Sequence, residues 1–349
     1  MSVTYRKFGT TKKGEKVTLY TIKNAKGTEA DVCDFGAILV AFRMKDKEGT
    51  VKDLVLGFDE AKPYLKDGNV FGGTVGPIAN RTAKAKFLLN GKEYRLKVND
   101  GENNLHTHLK KGFQKSLFSG KAKDNSVTFT IKKKDMAMGH PGNMDVSVTY
   151  TLTDADELVI HYYATTDKET YINLTNHSYF NLNGHDSGTI FHEKVQINAQ
   201  SYTPIVKGGI PTGEIASVEG TPMDFREEKE VCRDFTYGFA QIELANGYDH
   251  NFVLDNYDRN VREVAKVSDE ISGIWMKVFT DLPGVQFYTG NWVGVKKAKG
   301  GVSYGPRQGL CLETQYYPNS ANEDRFPKPL FGPDKPFDST TIYQFGVSQ

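Results

Sequence analysis

Two residues of this chain, His177 and Glu313, have side chains suited to proton transfer and lie where ionisable groups are costly. His177 is at the centre of residues 173–184, Asn-Leu-Thr-Asn-His-Ser-Tyr-Phe-Asn-Leu-Asn-Gly. Glu313 lies inside the apolar run at residues 310–315, Leu-Cys-Leu-Glu-Thr-Gln. A buried carboxylate must be hydrogen-bonded, shifted in pKa, or both. An imidazole and a carboxylate in such places can act as a general acid and a general base.

The segment around His177 combines large apolar residues with Thr, Ser and several Asn residues, and strands usually avoid Asn. Buried polar groups need hydrogen-bond partners, because each unpaired group costs free energy. We therefore predict a buried strand whose polar atoms hold His177 in place. A histidine satisfied by backbone carbonyls in a polar core explains this segment equally well when it is taken alone.

Two other stretches carry candidate binding residues. Residues 72–81, Gly-Gly-Thr-Val-Gly-Pro-Ile-Ala-Asn-Arg, end a glycine-rich loop in Arg81, whose guanidinium suits hydroxyls or carboxylates. Asp249 precedes His250 at the start of an apolar strand. A turn with a surface arginine and an Asx turn are the respective alternatives. With no phosphate-loop or nucleophile-elbow pattern, the set favours proton transfer on a polyhydroxylated ligand such as a carbohydrate.

His106 and His108 are spaced at i and i+2, which places both on one face if they lie in a strand. Such a pair can chelate a metal, but no further His or Glu follows at a short distance, and we expect no metal. Cys311 is two residues from Glu313 and has no basic neighbour in the sequence. We predict that it is a small buried thiol that shares the face of Glu313.

The elements that must position these residues are predicted to be strands. Asn90-Gly91 between two apolar runs predicts a hairpin over residues 87–96. Residues 146–152 alternate between apolar and polar, as a half-buried strand does. A helix of about one turn fits residues 59–65, and long amphipathic helices are absent. Further strands are predicted at residues 17–23, 36–44, 157–165, 195–199, 250–254, 273–280 and 285–290. The prediction is an all-β fold, a single large antiparallel β-sandwich over residues 1–349.

Composition excludes several classes of partner. Lys and Arg total 44 against 43 for Asp and Glu, so we expect neither nucleic acid nor an anionic membrane as a partner. Three widely spaced cysteines (Cys33, Cys232 and Cys311) fit a reducing compartment. The N-terminal residues lack the apolar core of a signal peptide, and the longest apolar run is too short to span a bilayer. We therefore expect a cytoplasmic location.

Taken in order, the motifs of this chain resemble those of the aldose 1-epimerase family, also called galactose mutarotases. The resemblance covers nearly the whole chain, from about residue 28 to residue 345. Its motifs are PIANR (77–81), NNLH (103–106), TNHSYFNLNG (175–184), DHNF (249–252), YTGN (288–291) and LETQYYPNSAN (312–322).

The resemblance implies a galactose mutarotase-like supersandwich, no cofactor, and interconversion of the α and β anomers of free hexoses such as galactose and glucose. Glu313 matches the general base that takes the proton of the C1 hydroxyl, and His177 matches the general acid that protonates the ring oxygen. The sugar contacts of the family match Arg81, His106 and Asp249, with Asn80 beside Arg81. Proton transfer near neutral pH would then start from an ionised Glu313 and a protonated His177, so we expect surroundings that favour the imidazolium. A monomer or a homodimer is expected.

The chain departs from the family pattern after His106, where Thr107-His108 stand in place of a frequent Gly-Gly pair. We expect this change to bear on sugar preference rather than on activity. A stiffer loop is expected at Gly76-Pro77, and Asn319 replaces a frequent aspartate.

Three alternative functions are weighed against this interpretation. A hexose-6-phosphate 1-epimerase would need a cluster of Arg or Lys residues at the site. A non-catalytic sugar-binding protein on the same fold should have lost Glu313 or His177. The third alternative is a metal-dependent β-barrel enzyme that uses His106 and His108.

Overall fold

A computed structural model describes residues 2–235 and 238–348 of the chain. Within these ranges the backbone forms three larger sheets and four two-stranded sheets, and the strands pair in antiparallel ladders. Helices in the described residues are short. The all-β, antiparallel fold predicted from the sequence is therefore confirmed.

The N-terminal sheet has five strands that follow one another along the chain. Its strands are Ser2–Thr10, Lys16–Lys23, Glu29–Cys33, Ile38–Lys45 and Val51–Asp53. The strands at 16–23 and 38–45 correspond to the predicted ones. Both are mostly buried, because their apolar residues contribute to two hydrophobic clusters.

The central sheet has nine strands. In spatial order these are Ser119–Lys123, Ser126–Lys133, Met144–Leu152, Glu157–Thr166, Phe337–Val347, Ile274–Thr280, Arg262–Ser268, Lys194–Ile197 and Lys229–Glu230. Strand 144–152 buries every second residue, and this confirms its predicted period of two. One face of this sheet therefore packs on the core.

The third sheet, called the site sheet below, has five strands. In spatial order these are Ala216–Ser217, Ser201–Tyr202, Asp249–Val253, Gly284–Tyr288 and Cys311–Gln315. The last strand is an edge of this sheet and is buried along its full length. Asp249 and Glu313 thus belong to strands that share one neighbour, 284–288.

The remaining strands form pairs of two to four residues each. The pairs are Thr74–Val75 with Thr175–Asn176, Arg81–Thr82 with Asn104–Leu105, Lys86–Leu89 with Lys92–Arg95, and Thr170–Tyr171 with Leu330–Phe331. The α-helices are Ala61–Tyr64 and Ala240–Ala245. Turns of 3₁₀-helix cover Ala83–Ala85, Phe113–Lys115, Lys299–Gly301 and Ser320–Asn322. The helix at 61–64 and the hairpin around Asn90-Gly91 confirm two predictions, whereas the helix at 240–245 was not predicted.

The central sheet packs against both other sheets. Phe42 of the N-terminal sheet stacks on Phe345 with ring centroids 4.1 Å apart. The Tyr343 hydroxyl donates a hydrogen bond of 2.9 Å to the carbonyl of Leu312 in the site sheet. One apolar cluster includes residues from all three sheets, so the layers share a core as in a sandwich. None of the helices in the described residues is long and apolar enough to cross a bilayer.

Candidate active site

The segment around His177 is buried but is mostly not a strand. Only residues 175–176 form a ladder, and the predicted strand over 173–184 is wrong beyond them. The backbone pairs instead with separate partners: the N–H of His177 donates to Gly73, and the N–H of Phe180 donates to Leu310. These contacts with distant parts of the chain hold the segment extended without making it part of one sheet.

Polar side chains next to His177 are engaged in hydrogen bonds, as the sequence argument required. Asn176 donates from its amide nitrogen to the Gly72 carbonyl and to the Tyr150 hydroxyl. Its amide oxygen accepts from the N–H and the hydroxyl of Ser178. These hydrogen bonds therefore fix the segment on both sides of His177.

Glu313 lies in the middle of strand 311–315, opposite Gln286, and is 2% exposed. Its Oε1 atom is 3.7 Å from Nε2 of His177. Among the described residues, its buried Oε2 atom has no hydrogen-bond partner. Burial raises the pKa of Glu313 well above its usual value; the charge of Asp249 adds to this effect, and Arg81 opposes it. We call Glu313 and His177 the floor of the site.

Burial also lowers the pKa of His177 to about 4. The imidazole lies among aromatic rings, with ring centroids 5.1 Å from Tyr179 and 5.3 Å from His106. The expected surroundings that favour its cation are therefore not found, because burial lowers the pKa of His177 and also holds the nearby Glu313 toward its neutral form. Nδ1 of His177 is 3.6 Å from the thiol of Cys311, so this cysteine does share the site with Glu313.

Arg81 and Asp249 lie at the opening of the site, where their side chains are 18% and 21% exposed. Nε of Arg81 donates to Asp100 at 2.8 Å, and Nη1 is 3.7 Å from Asp249. Gln286 donates to the other oxygen of Asp249 at 2.7 Å. Burial opposes the charge of Arg81, but Asp249 and Asp100 outweigh it and raise the pKa of Arg81. We call Arg81, Asp100, Asp249 and Gln286 the rim of the site.

His106 lies beside His177 and is joined to Asn80. Nδ1 of His106 accepts a hydrogen bond of 3.1 Å from the backbone N–H of Asn80. Burial, together with His177 and Arg81, lowers the pKa of His106 well below its usual value. The neutral ring therefore carries its proton on Nε2 and can donate it. The side-chain oxygen of Asn80 is buried and has no hydrogen-bond partner among the described residues.

His106 and His108 do not form the pair that a strand would give. His106 and Thr107 have φ angles of 52° and 58°, so the backbone turns here and the i, i+2 argument does not apply. The hydroxyl of Thr107 instead bonds both the N–H and the carbonyl of Ile78. Nδ1 of His108 accepts from the N–H of Lys110.

A metal ion would find its closest group of ligands at the floor of the site. Among the described residues, His177, Cys311 and Glu313 are close enough together, with one atom of each within 4.8 Å of the others. A buried imidazole beside a carboxylate is equally what direct proton transfer requires. The expectation of a metal-free site stays a prediction.

The six site residues predicted from the sequence lie in one region of the structure: His177, Glu313, Arg81, Asp249, His106 and Asn80. Two further residues, Gln286 and Asp100, were not predicted; they order Asp249 and Arg81, respectively. Gln286 carried a weak signal, an amide inside the apolar strand Gly-Val-Gln-Phe-Tyr. Asp100 carried none, because its turn looks like an ordinary charged loop.

A family model described as aldose 1-epimerase matches residues 18–344 of the chain. Among curated proteins, galactose mutarotase of Bos taurus is 43% identical over 319 residues, which cover 91% of each chain. Aldose 1-epimerase of Escherichia coli is 35% identical over 335 residues, covering 95% of this chain and 96% of the relative.

Solved structures agree with these similarities. A GalM/aldose epimerase homologue from C. elegans superimposes with a TM-score of 0.87 at 29% identity, covering 95% of this chain and 99% of the other. A galactose 1-epimerase from Lactobacillus acidophilus gives a TM-score of 0.87 at 25% identity over the whole of both chains.

Proposed function

The chain belongs to the aldose 1-epimerase family and interconverts the α and β anomers of an aldose; from this premise we propose that its substrates are free hexoses, with Glu313 as general base and His177 as general acid. The observation that carries the assignment is the 3.7 Å separation of Glu313 Oε1 and His177 Nε2 on a buried floor. The two oxygens that exchange protons, O1 and the ring oxygen, are both bonded to C1. The acid and the base must therefore lie side by side.

The reaction follows from these positions. Glu313 takes the proton of the O1 hydroxyl while His177 gives a proton to the ring oxygen, and the bond between C1 and the ring oxygen breaks. The C1–O1 bond becomes a carbonyl, which gives the open-chain aldehyde. Rotation about C1–C2 presents the other face of the carbonyl, and the reverse proton transfers close the ring as the other anomer. Each positioned group typically contributes about 10²–10⁴-fold to the rate.

Proton transfer at the floor can begin without a proton from solvent. Burial favours neutral Glu313 and neutral His177, and this pair holds the same number of protons as the carboxylate and imidazolium that start the reaction. Arg81 favours the carboxylate, and a sugar hydroxyl can supply the hydrogen bond that Oε2 lacks. Substrate binding thus favours moving one proton across the pair.

The rim supports a free sugar rather than a sugar phosphate. Arg81 is already matched by Asp100 and Asp249, so these three groups together carry one net negative charge. A phosphate dianion would be repelled there, whereas hydroxyls can both donate to the carboxylates and accept from Arg81, Gln286 and Nε2 of His106. A hexose-6-phosphate 1-epimerase is therefore the less favoured alternative.

Several predictions from the sequence stay part of this proposal. The chain is a single domain that acts as a monomer or a homodimer in the cytoplasm, and it needs no cofactor. Cys33, Cys232 and Cys311 are free thiols, which supports a reducing compartment. A non-catalytic sugar-binding role is less favoured, because both floor residues are present.

Polarimetry tests the proposal. Freshly dissolved α-D-glucose and α-D-galactose are followed with wild type, with Glu313→Gln, and without protein to give the spontaneous rate. Acceleration by wild type with a rate near baseline in Glu313→Gln is the expected result, and the faster sugar ranks the substrates. Equal acceleration by both proteins would overturn the role of Glu313, and no acceleration of either sugar would overturn free hexoses as substrates.

A further inference from the structure

A second cavity, of about 810 Å³, lies apart from the sugar site. Residues 11–15, 65–68 and 109–117 contribute to its walls together with Ile131 and Lys133 from one edge region of the central sheet. No floor or rim residue lines it. Its volume falls within the range of about 300–1,000 Å³ that is typical of small-molecule sites.

Lysines dominate the wall of this cavity. Its lysines are Lys12, Lys13, Lys66, Lys110, Lys115 and Lys133. None of these six lies within 4 Å of a carboxylate in the described residues, whereas Lys86, Lys229 and Lys299 elsewhere form ion pairs at 2.7 Å or less. The wall of the cavity therefore carries lysine charges that no carboxylate of the described residues neutralises by direct contact.

Two carboxylates line the same cavity, and both accept hydrogen bonds from neutral donors. Asp67 accepts from the backbone N–H groups of Asn69 and Phe71. Glu15 accepts from the hydroxyl of Thr11. Six lysines against two carboxylates leave a formal excess of four positive charges around the cavity.

Lys115 and Lys133 are half-buried, which makes their charges costly. Nζ of Lys133 donates to the Ser116 hydroxyl at 2.8 Å, and burial lowers the pKa of this lysine. Nζ of Lys115 donates to the carbonyls of Tyr64 and Asp67; burial lowers its pKa, against the opposing charge of Asp67. Ammonium groups removed from water without a counter-ion are stabilised when an anion enters.

We propose that this cavity binds a phosphorylated small molecule. A phosphate group carries more than one negative charge and several acceptor oxygens, which several lysines can share. Apolar side chains cover the rest of the wall and suit an organic moiety: Phe35, Leu65, Leu109, Leu117 and Ile131. A nucleic acid would need a basic surface that extends beyond one cavity, and the chain as a whole carries a net charge of only +1.

The experiment measures binding of tripolyphosphate and of ATP to the full chain by titration calorimetry, at low and at moderate salt. We expect saturable binding of one equivalent, weaker at higher salt because the lysines near the surface are screened. Lys133→Met should weaken binding at least tenfold, and Lys134→Met is the matched control, since this exposed neighbour does not line the cavity. Tighter binding of ATP than of tripolyphosphate would show that the apolar side chains contact the organic moiety. Equal affinities would show that the cavity recognises the phosphate groups alone.

Three further variants test the interpretation. Lys12→Met and Lys110→Met change exposed residues, so they test the cavity even if Lys133→Met fails to fold. Glu313→Gln should bind both probes as wild type does, because the sugar site does not line the cavity. Binding of neither probe, or equal losses in Lys133→Met and Lys134→Met, would overturn the proposal without touching the proposed epimerase function.

Discussion

The floor and the rim of the proposed sugar site hold their charges in opposite ways. At the floor, Glu313 and His177 are buried, and the Oε2 atom of Glu313 has no hydrogen-bond partner in the described part of the chain. At the rim, Arg81 is paired with Asp100 and lies near Asp249, which accepts from Gln286. Burial therefore shifts the pKa values of the floor toward the neutral forms, whereas the rim keeps Arg81 charged.

This difference indicates that the floor and the rim have separate roles. At the floor, burial opposes charge on both groups, so neither holds a permanent charge and one proton can pass between them. Groups that only orient hydroxyls do better when their charges and hydrogen bonds are already fixed, because less order must then be created on binding. Substitutions that separate rate from binding can test these roles.

The largest effect is expected for Glu313→Gln. Loss of the base should lower kcat by about 10²–10⁴-fold and leave KM nearly unchanged. The same variant should not be less stable at neutral pH. Burial raises the pKa of Glu313 in the folded chain, whereas the unfolded chain ionises this group near pH 4.5, so the group makes the fold less stable as pH rises above about 4.5. Glutamine removes this loss. Polarimetric kinetics and chemical denaturation measure the two quantities.

Glu193→Gln is the matched control for Glu313→Gln. Glu193 is also fully buried with a pKa raised well above its usual value, but it accepts from the N–H of Leu182 outside the sugar site. The kcat of Glu193→Gln should equal that of wild type. A large loss of kcat in both variants would mean that burial of a carboxylate, rather than its place at the floor, decides the rate.

Arg81→Ala should act mainly on binding. Loss of hydrogen bonds to a charged group costs about 1.5–3 kcal/mol, so KM should rise about 10- to 150-fold with a smaller change in kcat. Arg81 also lowers the pKa of Glu313, whereas Asp249 raises it. Without Arg81 the pKa of Glu313 should therefore be higher, and the acidic limb of the pH–rate profile of Arg81→Ala should move to higher pH. Arg226→Ala, which removes an arginine paired with Asp224, should change neither parameter. A fall in kcat alone would contradict the assignment of Arg81 to the rim.

A buried histidine outside the site provides a third comparison. His140 stacks on Phe87, both of its ring nitrogens lack partners among the described residues, and burial lowers its pKa to about 3. The unfolded chain binds this proton near pH 6.5 and the folded chain does not, so acidification favours unfolding. At pH 5 this histidine should cost about 2 kcal/mol, and His140→Gln should reduce the stability difference between pH 7 and pH 5 by that amount. Chemical denaturation at the two pH values measures this difference. The kcat of His140→Gln should equal that of wild type. A stability difference as large as that of wild type would contradict the prediction.

Local patterns in the sequence predicted much of this architecture. The hairpin at Asn90-Gly91, the strand with period two at 144–152 and the buried strand around Glu313 all appear as expected. Each of these depends on residues close together in the chain, namely turn chemistry, alternation and an apolar run. The two floor residues, Glu313 and His177, could be predicted for the same reason.

Features that depend on distant contacts could not be predicted. The segment around His177 is extended because Gly73 and Leu310, far away in sequence, supply its backbone partners. Asp100 and Gln286 reach the rim through a loop and a strand register that no local pattern specifies. The lowered pKa of His177 arises from burial by several elements together, so the expectation of surroundings that favour the imidazolium had the wrong direction.

The smallest effect on rate is expected for Cys311→Ala. Burial, with Glu313 and Asp249, raises the pKa of the Cys311 thiol well above its usual value, so it stays neutral and its sulfur can accept from Nδ1–H of His177. This contact keeps the ring proton on Nδ1 and leaves Nε2, which faces Glu313, free to take the proton that moves across the pair. Losing a hydrogen bond of about 0.5–1.5 kcal/mol should lower kcat about twofold to tenfold, and Cys311→Ser should restore most of it. Cys33→Ala, which removes the other buried thiol, is the matched control, and equal kcat values in Cys311→Ala and Cys33→Ala would show that the floor orients His177 without the thiol.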